Sequence, residues 1–277
     1  MEAIDLATPK IRLEGITKEY IAPRTGQRTL AISDVSLDIF QGEFLCIVGP
    51  SGCGKSTILN MIAGLAAPSR GGLTMDEKPI RAPGAERGVV FQDYALFPWK
   101  TVRENIEFGP RYRASAPLSA VERDKLVRHY IDLVSLTGSE AKYPHELSGG
   151  MRQRCAFARA LANEPEVLLM DEPFAALDAQ TRLILQEELL RIWGEDLPRA
   201  ERKTVVFITH GIDEAVFLAD RVAVMSNNPG HIKTVMTIDL PRPRRESLRA
   251  TAEFQKLADD IWQLIRHEAY EATIDKH

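Results

Sequence analysis

The nine residues at 49–57 carry the densest chemistry in the chain: Gly49, Pro50, Ser51, Gly52, Cys53, Gly54, Lys55, Ser56 and Thr57. Counted from Gly49, they satisfy G-x-x-x-x-G-K-[ST] in full, a pattern whose chemistry is capture of a polyphosphate. Small residues let backbone N–H groups close around phosphate oxygens, and a helix start behind them adds its dipole. Lys55 is expected to reach the β- and γ-phosphates, and Ser56 to ligate Mg²⁺. The flanks fit this reading. Residues 44–48 form a short apolar run that reads as a buried strand, and residues 57–63 open a helical pattern. A chance glycine turn followed by lysine would need neither flank. The chain is therefore read as binding a nucleoside triphosphate. Cys53, inside the loop and next to a cation, is expected to be a reactive thiol that nucleotide protects.

Two further constellations bear on hydrolysis. Val167, Leu168, Leu169 and Met170 run directly into Asp171, Glu172 and Pro173. That order suggests a buried strand delivering two carboxylates to its C-terminal edge, where open α/β sheets bind ligands. Asp171 is expected to hold Mg²⁺, and Glu172 to accept a proton from a water attacking the γ-phosphate. The bland alternative is an Asp-Glu-Pro turn that caps the next helix. Farther upstream, Ser148, Gly149 and Gly150 open a helix that runs through Leu161. A capping serine and two glycines at a helix start make a second phosphate nest. One chain has little use for two nests unless the second serves another molecule's nucleotide.

Several elements must position these groups. Ile11, Leu13 and Ile16, then Val35, Leu37 and Ile39, have the spacing of half-buried strands. Strands are expected at 71–75, 88–91, 167–170, 204–208 and 221–225, with helices at 179–193 and 212–219. Residues 101–163 read as mostly helical, broken near 114–118 and at Tyr143 and Pro144. The alternation predicts an α/β fold with a mainly parallel sheet flanked by helices and a helical insert. Beyond residue 240, Pro241, Arg242, Pro243, Arg244 and Arg245 read as a stiff, solvated basic linker. Leu248, Phe254, Leu257, Ile261, Leu264 and Ile265 then recur at helical spacing, giving one amphipathic helix that docks on the preceding domain or on a neighbouring subunit.

The order of these motifs resembles that of ATP-binding cassette (ABC) ATPases over about residues 11–240. The stretch from Leu147 to Arg154 is similar to the signature of that family. The resemblance implies a P-loop NTPase core, an N-terminal antiparallel β subdomain and an inserted α-helical subdomain at about 93–163. It divides the chain into a cassette at 1–240 and a linker with a C-terminal helix at 241–277. It also implies two subunits sandwiching two ATP molecules head to tail, with Ser148, Gly149 and Gly150 closing on the partner's γ-phosphate. Tyr20 resembles the aromatic that stacks on adenine, although an ordinary strand aromatic is the alternative. Gln92 is similar to the glutamine that touches Mg²⁺ and the attacking water, and Ala176, Leu177 and Asp178 to the loop that crosses the dimer interface. His210 resembles the γ-phosphate sensor. Gly211 stands where an aspartate is common, which puts the stiffness of that loop in question.

The 277 residues carry a net charge of −4, so no global basic field argues for a nucleic-acid partner. No run of 18 apolar residues suggests a membrane span, and the first residues lack the basic and apolar parts of a signal peptide. Three cysteines without metal-ligand spacing suit a reducing cytosol. One set of motifs without heptads or a fused spanning domain favours the ATPase subunit of an importer over a soluble ABC protein acting on ribosomes or DNA. Its expected partners are separate permease subunits and, indirectly, a binding protein. Its expected place is peripheral, on the cytoplasmic face of the inner membrane. Tyr94, Leu96, Phe97 and Trp99 in a loop-like segment suggest a socket for a partner's short helix, or else packing beneath the insert. Residues 96–99 with Asn105, the 88–92 and 144–153 segments, and Asn228, Pro229 and Gly230 look like cassettes of nitrate, sulfonate and taurine importers.

Overall fold

The computed structural model describes residues 8–22, 25–91, 93–112, 117–175, 177–227 and 229–274, with side chains to residue 266. Gln92, Ala176, Asn228 and part of the 114–118 breaker lie outside the described residues. Two sheets organise the chain. The first is antiparallel, in the order β2-β1-β4-β5, built from β1 (Ile11–Ile21), β2 (Arg28–Ile39), β4 (Arg70–Met75) and the short β5 (Lys78–Pro79). The second has the order β10-β9-β3-β8-β7-β6. It comprises β3 (Phe44–Val48), β6 (Arg87–Val90), β7 (Val167–Asp171), β8 (Thr204–Ile208), β9 (Arg221–Ser226) and β10 (His231–Thr237). Every neighbouring pair in it is parallel except β10 with β9.

The helices are α1 (Lys55–Ile62), α2 (Val102–Arg111), α3 (Ala120–Leu133), α4 (Gly149–Leu161), α5 (Ala179–Trp193), α6 (Ile212–Leu218) and α7 (Ala252–Ile274). Both faces of the central parallel strands are covered, so β3 and β8 are buried throughout and β7 and β9 at all but one end residue, and these strands read as continuous apolar runs. Their period of two still sorts side chains between two cores. Phe44, Cys46, Val48, Leu168, Met170, Val205, Phe207, Val222 and Val224 face one core, which α4, α5 and α6 complete. Leu45, Ile47, Val167, Leu169, Val206, Ile208, Ala223 and Met225 face the other, against α1 and the antiparallel sheet.

The insert is built from well-signalled helices. Thr101 and Ser119 each close a capping box with Glu104 and Glu122, respectively, so α2 and α3 start where two backbone donors are satisfied. Buried Asn105 bonds the Phe97 N–H and the carbonyls of Phe97, Lys100 and Thr101, which pins the aromatic segment onto α2. After β10 the chain turns through a 3-10 segment, Glu246–Ala250, into α7, which buries Phe254, Ala258 and Ile261 against the first core.

The expected solvated linker is instead a clamp. Arg244 is 1% exposed and donates to the carbonyls of Val216, Phe217 and Ala219 at the end of α6. Those carbonyls have no partner within the helix, and a cation also complements the dipole there. Arg242 lies 4.3 Å from the centroid of the buried Trp193 ring and pairs with Asp220 at 2.7 Å. Pro241, Pro243 and Arg245 have the expected exposure.

Candidate nucleotide site

Three adjacent strands of the parallel sheet deliver the candidate residues to one edge. β3 leads into the glycine loop, β8 lies beside it and ends before Thr209 and His210, and β7 ends in Asp171. In the loop, Gly54 has φ +96, and a Cβ there would stand 2.8 Å from Ile32 Cγ1, so only glycine fits. Gly54 also begins α1 without a side-chain cap, which leaves the first backbone donors of that helix to the loop. A turn at Gly230 buttresses the loop from below. Gly230 bonds Ala31 and Ser33 of β2, and a Cβ on it would overlap the Cys53 carbonyl oxygen.

Lys55 is 5% exposed, and its ammonium donates to the Gly49 carbonyl at 2.9 Å and the Pro50 carbonyl at 3.0 Å. The cation thus lies along the loop's own rim, where phosphate oxygens can replace those carbonyls. Ser51 and Gly52 are exposed on the loop, and Pro50 and Thr57 are partly buried. Ser56 lies close enough to Asp171 to favour its charged carboxylate. Burial raises the Asp171 carboxyl above its ordinary range, against the pull of Ser56, Lys55 and His210 and with the repulsion of Glu172. Among the described residues no group of three His, Cys, Asp or Glu could hold a metal alone. A hard cation on the Ser56 and Asp171 oxygens would therefore take its other oxygens from phosphate and water, as Mg²⁺ does.

Glu172 and His210 are brought together. His210 Nε2 lies 2.7 Å from Glu172 Oε1, with the Glu172 side chain 19% exposed. Glu172 has φ +47, unusual for a residue with a side chain, and its N–H bonds the Ile208 carbonyl at 3.0 Å. Tyr20 lies on β1 opposite Thr29, 46% exposed, with Lys18 Nζ 5.2 Å from its ring centroid.

The signature residues lie elsewhere. The Ser148 hydroxyl accepts the Met151 N–H at 3.3 Å and caps α4. Ser148, Gly149 and Gly150 line a concavity of about 590 Å³ with Leu177, Asp178 and Thr181, while Glu172 and His210 line a different one of about 700 Å³. A Cβ on Gly150 would stand 2.8 Å from Thr181 Cγ2, so α4 approaches the start of α5 closely. Asp178 caps α5 through Thr181, whose backbone N–H and hydroxyl hold its carboxyl below the usual range.

The expectation of a reactive Cys53 is corrected. Its side chain is fully buried against the second core, and burial raises the thiol despite Lys55 beside it. The aromatic segment divides between its two readings. Tyr94 and Leu96 pack on the first core, Phe97 is half-buried beneath Arg159, and Trp99 is 70% exposed. Trp99, Phe97, Phe108 and Tyr112 form a ladder of ring contacts along the insert. The reading of the sequence did not single out Thr209, Gln186, Glu214 or Arg249, which surround the His210 loop. Their spacing in the chain carries no signal, because the fold alone makes them neighbours.

Residues 32–175 match the ABC transporter family. A putative ATP-binding protein of Brucella abortus is 49% identical over 260 residues, 94% of this chain and 95% of that protein. A nitrate import ATP-binding protein of Synechococcus elongatus, NrtD, is 47% identical over 258 residues, 92% of this chain and 91% of its own length. Among solved structures, a dimeric ATP-binding cassette in a post-hydrolysis state with ADP and Pi superposes with a TM-score of 0.72 at 32% identity. It covers 83% of this chain and all of its own.

Proposed function

Because this chain belongs to the ABC transporter family and is an ATP-hydrolysing cassette, we propose that it energises a membrane importer for a small oxyanion, of the nitrate, sulfonate or taurine class. The observation that carries the chemistry is the Glu172–His210 contact of 2.7 Å, at the sheet edge that also holds Lys55 and Asp171. The importer reading rests on the nitrate-import relatives and on the aromatic ladder of the insert.

Residues 49–57 wrap the triphosphate with backbone N–H groups, and Lys55 exchanges its carbonyl partners for β- and γ-phosphate oxygens. Ser56 and Asp171 would hold Mg²⁺, with Gln92 as a further donor, and a bound ion there would supply charge neutralisation at the phosphate oxygens. Glu172 accepts the proton of the attacking water, and His210 orients that carboxylate and senses the γ-phosphate. Tyr20 stacks on adenine. Within one chain the signature and the Glu172–His210 pair line separate concavities, which favours a second ATPase subunit whose Ser148, Gly149 and Gly150 close this site. The groove beside Phe97 and Phe108, about 230 Å³, receives a helix of a separate permease subunit at the cytoplasmic face of the membrane. A binding protein outside delivers the cargo. Among the described residues no helix is long and apolar enough to cross a membrane, consistent with a peripheral place.

Co-expression with a candidate permease and binding protein tests this directly, by uptake of labelled nitrate and alkyl sulfonate. Saturable uptake of one of them that disappears in Glu172→Gln is expected. Unchanged uptake in that variant, or salt-dependent DNA binding or ribosome co-sedimentation by the unmodified chain, rejects the importer reading.

A further inference from the structure

The loop that carries His210 is stiffened from the far end of the chain. Glu214 is 9% exposed and Gln186 2%, and polar groups so deep are costly unless every one is bonded. They bond one another and two outer groups. The Thr209 hydroxyl donates to Glu214 Oε2, and Gln186 Nε2 donates to Glu214 Oε1 at 2.7 Å. Arg249 Nη2 donates to Gln186 Oε1 at 2.6 Å, so both carboxylate oxygens and both ends of the amide are occupied. At the loop, the Gly211 N–H donates to the Thr209 hydroxyl at 2.9 Å. The relay thus begins beside His210, whose ring touches Glu172, and ends on Arg249 in the 3-10 segment that precedes α7.

Residue 211 explains the need for it. Gly211 supplies no side-chain cap to α6, although its φ of −85° suits any residue. The loop therefore has no side-chain cap from residue 211 and relies on Thr209 and Glu214. Arg249 is fixed in turn by the faces of Phe217 and Phe254, 4.3 and 5.8 Å from its guanidinium. Glu172, His210, Gln186, Glu214 and Arg249 all line the same cavity of about 700 Å³.

We infer that Arg249 is a positioning residue for ATP hydrolysis, holding the His210 loop through Gln186, Glu214 and Thr209. The inference rests on the reading of Glu172 and His210 as the hydrolytic pair. It makes docking of the C-terminal segment and assembly of that pair one event. If the segment lifts away, Gln186 loses a hydrogen-bond partner and Glu214 a nearby cation in a low-dielectric site, and the loop relaxes with them.

The test measures kcat and KM for ATP in the full-length chain carrying Arg249→Met, Gln186→Leu, both together, and Arg249→Lys. Thermal unfolding of each variant is followed alongside. Each single change should lower kcat by roughly two- to thirty-fold, the span of coupling through a contiguous network. KM should hold, because the glycine loop is untouched. The double variant should fall no further than the worse single one, and Arg249→Lys should recover part of the rate. In a His210→Ala background, Arg249→Met should have no further effect. Multiplying effects, or a lowered melting temperature with kcat intact, would overturn the relay. If Glu172→Gln hydrolyses as well as the unmodified chain, the hydrolytic pair itself is misassigned. If Glu172→Gln is dead but Arg249→Met runs at full rate, only the relay is lost.

Discussion

Glu172 sits in a left-handed backbone conformation, at a cost of about 1–2 kcal/mol for a residue with a Cβ. The Ile208 carbonyl and the Ala175 N–H hold it there, and such strain clusters where a side chain must be aimed. Its aim is toward His210. Glu172→Gln should therefore keep ATP binding while phosphate release falls by roughly two to four orders of magnitude, the size of a general-base loss. Near-normal release would move the base elsewhere. Lys55→Ala should differ in kind, losing nucleotide affinity in equilibrium titration. The three thiols give an independent check. Cys46, Cys53 and Cys155 are buried with their thiols raised, Cys155 to about 12. Maleimide at neutral pH should thus label the native chain slowly at all three, with full labelling only after denaturation. Rapid, ATP-sensitive modification of Cys53 would show that the loop opens far more than its packing suggests.

At the scale of elements, the parallel strands and the glycine loop were legible in the sequence for a physical reason. Strands buried on both faces appear as unbroken apolar runs, and the loop's residue types are dictated by phosphate geometry. Asp171 and Glu172 were legible because they end such a run. β10 was not, since an edge strand of half-buried residues such as Ile232, Thr234 and Val235 has no strong pattern. The arginines after residue 240 misled because composition alone cannot show that the end of α6 lacks donors. Arg244→Met should cost about 2–5 kcal/mol, from the lost charged hydrogen bonds and the carbonyls left behind. Arg245→Ala, at an exposed position, should change little; chemical denaturation separates the two. In the insert, replacing Phe97 and Trp99 together with alanine should leave ATP binding intact but remove the chain from a permease complex isolated from membranes. Retention at normal strength would show that the ladder is ordinary packing.

At the scale of the whole molecule, Glu172 and His210 line one concavity and Ser148, Gly149 and Gly150 another. On the proposed reading, Tyr20, residues 49–57, Asp171, Glu172 and His210 form one half of a hydrolytic site, and Ser148, Gly149 and Gly150 form the half that completes the site of a second copy. A lone chain should hydrolyse ATP poorly, and permease subunits should raise the rate by holding two copies at high effective concentration. The mass of Glu172→Gln in sedimentation, with and without Mg-ATP, decides whether two copies share the nucleotide. A monomer that becomes a dimer with nucleotide, and no longer does so once Ser148→Arg is added, is the predicted result. A mass indifferent to nucleotide, or a dimer that survives Ser148→Arg, would contradict it.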